Sequence, residues 1–148
     1  MRSVVTVPRV LLVAWLVSLA VLPAAASASG GASFLRALNS ARARHHLPAL
    51  HASRGLARSA AGWSAEMAAT GTMSHGAFAA RISHYVRSHW VGENLAYAVG
   101  GCGARMVVNM WLASSPHRHI MLSRHFRRAG VGVAHSGSVC FVTADFAR

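Results

Sequence analysis

The sequence has 148 residues, the size of one hydrophobic core, which excludes a multidomain reading. Its 15 basic residues are all arginine and stand against three acids, Glu66, Glu93 and Asp145, for a formal charge of +12. That balance favours weak contact with anionic wall polymers or lipid headgroups, by attraction that salt screens. The arginines are scattered, with Arg127-Arg128 the only adjacent pair, so a specific nucleic-acid groove is disfavoured.

The chain opens with Arg2 and Arg9, an apolar run from Val10 to Leu22, then small residues from Ala24 to Ser29. This is the three-part pattern of a secretory signal, and its apolar run of ~13 residues is shorter than the ~20 that cross a bilayer as a helix. Cleavage is expected after Ala28, with Ala26 as the alternative, giving a signal peptide over 1–28 and a secreted domain over 29–148. Losing Arg2 and Arg9 lowers the charge from +12 to +10. No later segment is long and apolar enough to span a membrane. Export places Cys102 and Cys140 in an oxidising compartment, where one disulfide is expected and two free thiols are the alternative.

Phe34, Leu35, Leu38, Ala41 and Arg42 follow helical spacing, with Ser33 placed to cap the start and an end expected near His46, before Leu47-Pro48. A second helix is predicted over Ser53 to Thr70, where Leu56, Ala60, Trp63 and Met67 recur at three and four residues and Gly71 terminates. Gly71 to Val91 reads as a loop-rich crossing around a short helix at Phe78 to Tyr85. Gly100-Gly101-Cys102-Gly103 breaks the chain before a third long helix, with Met106, Val107, Met110 and Trp111 on one face. Ser114-Ser115-Pro116 interrupts it, and Ser115 as N-cap with Pro116 in the first turn predicts a new short helix carrying His117 to Leu122. Two strands close the chain, Ala129 to Ala134 and Val139 to Phe146, joined by a turn at His135-Ser136-Gly137-Ser138. Helices first and an antiparallel hairpin last imply an α+β layered domain.

Certain segments together form a pattern: Asn39-Ser40-Ala41-Arg42 with Leu50, Ser74-His75, Gly92-Glu93-Asn94-Leu95-Ala96, Trp111-Leu112-Ala113-Ser114-Ser115-Pro116-His117-Arg118, Phe126, Gly130-Val131-Gly132-Val133-Ala134 and Phe141-Val142-Thr143. In order and spacing it resembles the bacterial branch of the CAP superfamily (cysteine-rich secretory proteins, antigen 5 and pathogenesis-related proteins), the SCP-like extracellular domain. The resemblance covers essentially the whole mature chain. It implies an α-β-α sandwich with a small antiparallel sheet between helical layers and an open central cleft. In many members that cleft carries two His and two Glu, sometimes with zinc or another divalent ion. His75 matches the first His, Glu93 the Glu of the Gly-Glu-Asn motif and His117 the second His, while the fourth place falls on Ser114. Ile120 and Ala144 also depart from the family, which often has Asn and Gln there.

Two imidazoles and one carboxylate are a known zinc ligand set that leaves a coordination position open. For Glu93 the competing role is to accept hydrogen bonds from the imidazoles or backbone amides, closing the cleft without metal. His45, His46, His51, His84, His89, His119, His125 and His135 are read as surface or satisfied core residues, and Glu66 as solvated or Arg-paired. Ser74 adjoins His75, but no aspartate lies nearby in the pattern to orient a triad. Trp63 and Trp111 are read as core, and Trp90 is left open between core and groove. The function expected is a secreted binding module for an extracellular ligand. A metal-dependent hydrolase using the same cleft and a lipid- or sterol-binding protein are the alternatives.

Overall fold

The three longest helices end where the sequence supplies a stop. The structure, a computed structural model, describes residues 28–148, so the expected leader as far as Ser27 lies outside the described residues. Helix α1 spans Ala28–Arg44 and starts five residues before Ser33, whose hydroxyl donates to Gly30 O inside the helix instead of capping it. After it, His46 takes a left-handed φ of 54°. Strand β1 is only His51–Ala52. Helix α2, Arg54–Thr70, follows the predicted limits: Ser53 caps it by accepting from Leu56 N, and Gly71 at φ 66° closes it in the left-handed conformation.

The short helix α3, Phe78–Ser83, leads to strand β2, Val91–Val99, which the sequence pattern does not announce. Helix α4, Ala104–Ala113, then gives way to α5, Ser115–Met121. The capping position of α5 is Ser114, one residue earlier than expected, and Ser115 is already helical. On α4 the buried face is Val107, Val108 and Trp111, whereas Met106 and Met110 are exposed, so the expected Met-bearing stripe is rotated towards solvent. Strands β3, Arg128–Ser136, and β4, Val139–Ala147, meet at a two-residue turn, Gly137-Ser138. His135 and Ser136 extend β3 instead of turning.

The sheet order is β1-β3-β4-β2. β3/β4 and β4/β2 are antiparallel, and β1 adds two parallel partners, His51 to Arg128 and Ala52 to Ala129. Helix α2 covers one face, and α1, α4 and α5 cover the other, which is the α-β-α sandwich expected. Both faces therefore carry apolar side chains, and the α2 face also buries Glu93, Asp145 and Thr143. Val131, Val133, Val142, Ala144 and Phe146 join Phe34, Leu38, Val107, Trp111 and Met121 in the larger core, while Leu95, Ala134 and Phe141 pack with Met67 and Ala68 on the α2 side. The Cys102–Cys140 disulfide, Cα to Cα 6.0 Å, ties the approach to α4 to the central strand β4. A bridge closing a loop of this length stabilises by ~3–4 kcal/mol in the chain-entropy model.

Candidate functional site

In antiparallel strands, residues directly opposite share a face with Cβ atoms ~5 Å apart. The register of β2 on β4 sets Glu93 opposite Asp145, on the face covered by α2. Both carboxylates have fully buried side chains. Two buried carboxylates side by side require a cation and hydrogen-bond donors. α3 delivers the cation: Arg81 Nη2 binds Glu93 Oε2 and reaches Asp145 Oδ1 at 3.5 Å, while its Nε lies 3.4 Å from Ser59 Oγ. From α2, the buried Ser59 hydroxyl donates to Asp145 Oδ2 at 2.6 Å. Burial, with neighbouring Glu93 adding to it, pushes the Asp145 carboxyl up to about 7 against the opposing pull of the Ser59 hydroxyl and Arg81.

The second oxygen of Glu93 faces His75, whose Nδ1 lies 2.7 Å from Oε1. A carboxylate accepts, so Nδ1 carries the proton and Nε2 is left as the free nitrogen of a half-exposed ring. His75 stands edge-on to Phe78, with centroids 6.2 Å apart. Trp63 packs, partly buried, against the core on the α2 side and also walls the cleft: its ring lies 4.6 Å from Arg81 Cζ, and its Nε1 donates to Ser74 O at 2.7 Å. Ser74 Oγ accepts from Gly76 N, so that hydroxyl serves the turn before α3.

His117 comes from the opposite layer, around the edge strand β2. Asn94, next to Glu93 but pointing to the other face, donates to His117 O at 3.0 Å and so ties α5 to β2. Burial, and secondarily the nearness of His75, lower the His117 pKa, which favours a neutral ring. Among the described residues the His117 ring makes no hydrogen bond, and no hydrogen bond joins Ser114 to the Glu93 pair. The structure thus joins His75 to Glu93 directly and sets His117 within electrostatic reach. Sequence reasoning missed Arg81, Asp145 and Ser59. The one available signal was that Asp145 is among only three acids in the chain. The other eight histidines are all exposed, as is Glu66. Trp111 is buried, with its Nε1 donating to Leu95 O, and Trp90 is exposed and stacks on His125 at 4.2 Å.

The Glu93 carboxylate as placed is not open to a divalent metal. Among the described residues no group of three or more His, Cys, Asp or Glu side chains is arranged to hold one, and Arg81 engages one oxygen of Glu93 while His75 engages the other.

A family model described as the cysteine-rich secretory protein family matches residues 35–146. The chain belongs to the cysteine-rich secretory protein family. Solved CAP structures share its fold. An outer surface protein from Borrelia burgdorferi superposes with TM-score 0.69 at 21% identity, over 77% of this chain and 88% of that one. An extracellular SCP-domain protein from Bacillus anthracis gives 0.68 at 27% identity, over 81% of this chain and 40% of that longer one. NaASP2, solved with Zn2+, gives 0.62 at 13% identity, over 82% and 80%. No curated protein matches the sequence. Among the described residues of this CAP domain, no helix is long and apolar enough to cross a membrane.

Proposed function

We propose that this CAP domain is a secreted, non-enzymatic binding module whose cleft of His75, Glu93 and His117 receives an extracellular ligand. The observation that carries this reading is the complete engagement of Glu93. With one oxygen facing His75 and the other on Arg81, and with no exposed side-chain surface, it is poorly placed as a general base or as an open metal ligand. The ligand-facing groups are then two imidazoles, His75 with its free Nε2 and His117 held towards the neutral form. These suit hydrogen bonding to hydroxyl-rich or weakly acidic molecules. The hydrolase alternative is tested on the purified mature chain with ester, peptide and phosphodiester substrates, with and without chelator. No turnover is expected, and chelator-sensitive hydrolysis lost in His75→Ala would sink the binding reading.

A second reading rests on a separate feature. An apolar groove of about 590 Å3 runs between α1, α2 and β3, lined by Leu35, Ala57, Ala61 and Val131 and bordered by Arg36 and Arg58. Its shape and cationic rim suit an acyl chain with an anionic head. Ala61→Trp should block uptake of a fluorescent fatty acid; uptake unchanged in that variant would remove the groove from consideration.

A further inference from the structure

Arg81 sits where the two buried carboxylates of the cleft meet, and its guanidinium is held on three sides, while Nη1 is buried without a hydrogen-bond partner. Nη2 joins Glu93 to Asp145 across the β2/β4 pairing, Nε faces Ser59 Oγ on α2, and the plane lies against the Trp63 ring. Trp63 is itself fixed by its bond to Ser74 O. The Arg81 side chain keeps 16% of its exposure, against 0% for both carboxylates, so it closes their access from the cleft. We infer that Arg81 is the resident cation of this cleft, taking the Glu93 oxygen that a divalent ion held with His75 and His117 would need.

The physical argument is exclusion by charge and by ligand. A zinc ion that uses Glu93 as a ligand needs a carboxylate oxygen with a free lone pair, and it is repelled by any fixed cation nearby. Here the guanidinium is both the competitor for the oxygen and the repelling charge. It cannot swing aside cheaply, because leaving would strip the buried Glu93 carboxylate of its counter-charge and lose the stacking on Trp63. The inference does not depend on the cleft binding an organic ligand, so failure of the binding reading leaves it standing.

Zinc chloride alone is the probe, titrated calorimetrically and by thermal shift into chelator-stripped mature protein at neutral pH. Wild type is expected to show no stoichiometric zinc binding and no zinc-dependent rise in melting temperature. Arg81→Gln frees Glu93 and Asp145 and should bind zinc about tenfold or more tighter than wild type, since a fixed charge and a competing ligand are both removed. Zinc should raise its melting temperature, and adding His75→Ala should abolish that gain, which separates the cleft from adventitious binding by an unfolded chain. Should Arg81→Gln not fold, Trp63→Leu loosens the guanidinium without changing any charge and should gain zinc affinity in the same direction. One zinc bound by wild type as tightly as by the variant, or no gain in a folded variant, overturns the inference.

Discussion

Asp145 shows how a single side chain can set the response of the molecule to pH. Its carboxyl is raised from an ordinary 3.8 to about 7 by burial beside Glu93. Between those values the folded chain holds a proton that the unfolded chain has released. Stability therefore falls as pH rises through this window and levels off above it, with a slope of up to ~1.4 kcal/mol per pH unit for one proton. Asp145→Asn removes this titration while keeping the shape. Urea midpoints measured from about pH 5 to about pH 7.5 should fall more steeply in wild type than in the variant. Parallel curves would mean that Asp145 is already ionised across the range. The same residue shows why part of the site was illegible: Glu93, His75 and His117 stand in recognisable motifs, but the role of Asp145 exists only through the strand register, and that of Arg81 only through the placement of a six-residue helix.

Between elements, the closest approach is α2 on β3, and two glycines make it possible. A Cβ on Gly130 would lie 2.0 Å from Ala57 N, and one on Gly132 would lie 2.3 Å from Ala61 N, both backbone atoms that cannot yield. The spacing matches by geometry, since two strand residues advance ~6.6 Å and four helix residues ~6.0 Å. Ser64, one turn further along α2, donates to Gly132 O at 3.0 Å and lies 2.9 Å from Thr143 Oγ1, which fixes the helix on the sheet at that depth. Gly132→Ala should force α2 off the sheet and cost at or above the ~1–3 kcal/mol typical of overpacking. Denaturant unfolding measures this, and a loss below about 0.5 kcal/mol would show that the interface can relax. Several segments of the motif thus encode the scaffold, as Asn39 also does by bonding both N and O of Leu50, and Arg42 by donating to the carbonyls of Pro48, Met121 and Ser123. Helix α2 and the terminal hairpin were readable because caps, Gly71 and β-branched alternation are local signals. Strand β2 was not, because Gly92, Glu93 and Asn94 carry no strand alternation and the strand is buried on both faces over most of its length.

For the molecule as a whole, folding sharpens the charge imbalance that composition already announces. Two of the three acids, Glu93 and Asp145, are consumed internally by one arginine, and Arg42 is buried among backbone carbonyls. The exposed surface then presents Arg36, Arg44, Arg54, Arg58, Arg87, Arg105, Arg118, Arg124, Arg127 and Arg148, with Glu66 the one exposed acid among the described residues. These arginines are spread over several elements, so no single groove concentrates them, and the field should act at long range without selecting a sequence or a sugar. Retention of the mature chain on an anionic polymer matrix should therefore fall steeply from low salt to about 1 M, as the Debye length shrinks from roughly 30 Å to roughly 3 Å. Reversing one surface charge, as in Arg105→Glu, should weaken retention only modestly, because the contribution is distributed. Cleft variants such as His75→Ala should leave it unchanged. Retention that survives high salt, or that collapses with a single arginine, would instead point to a defined anion site and would require the cationic surface to be more than a diffuse field.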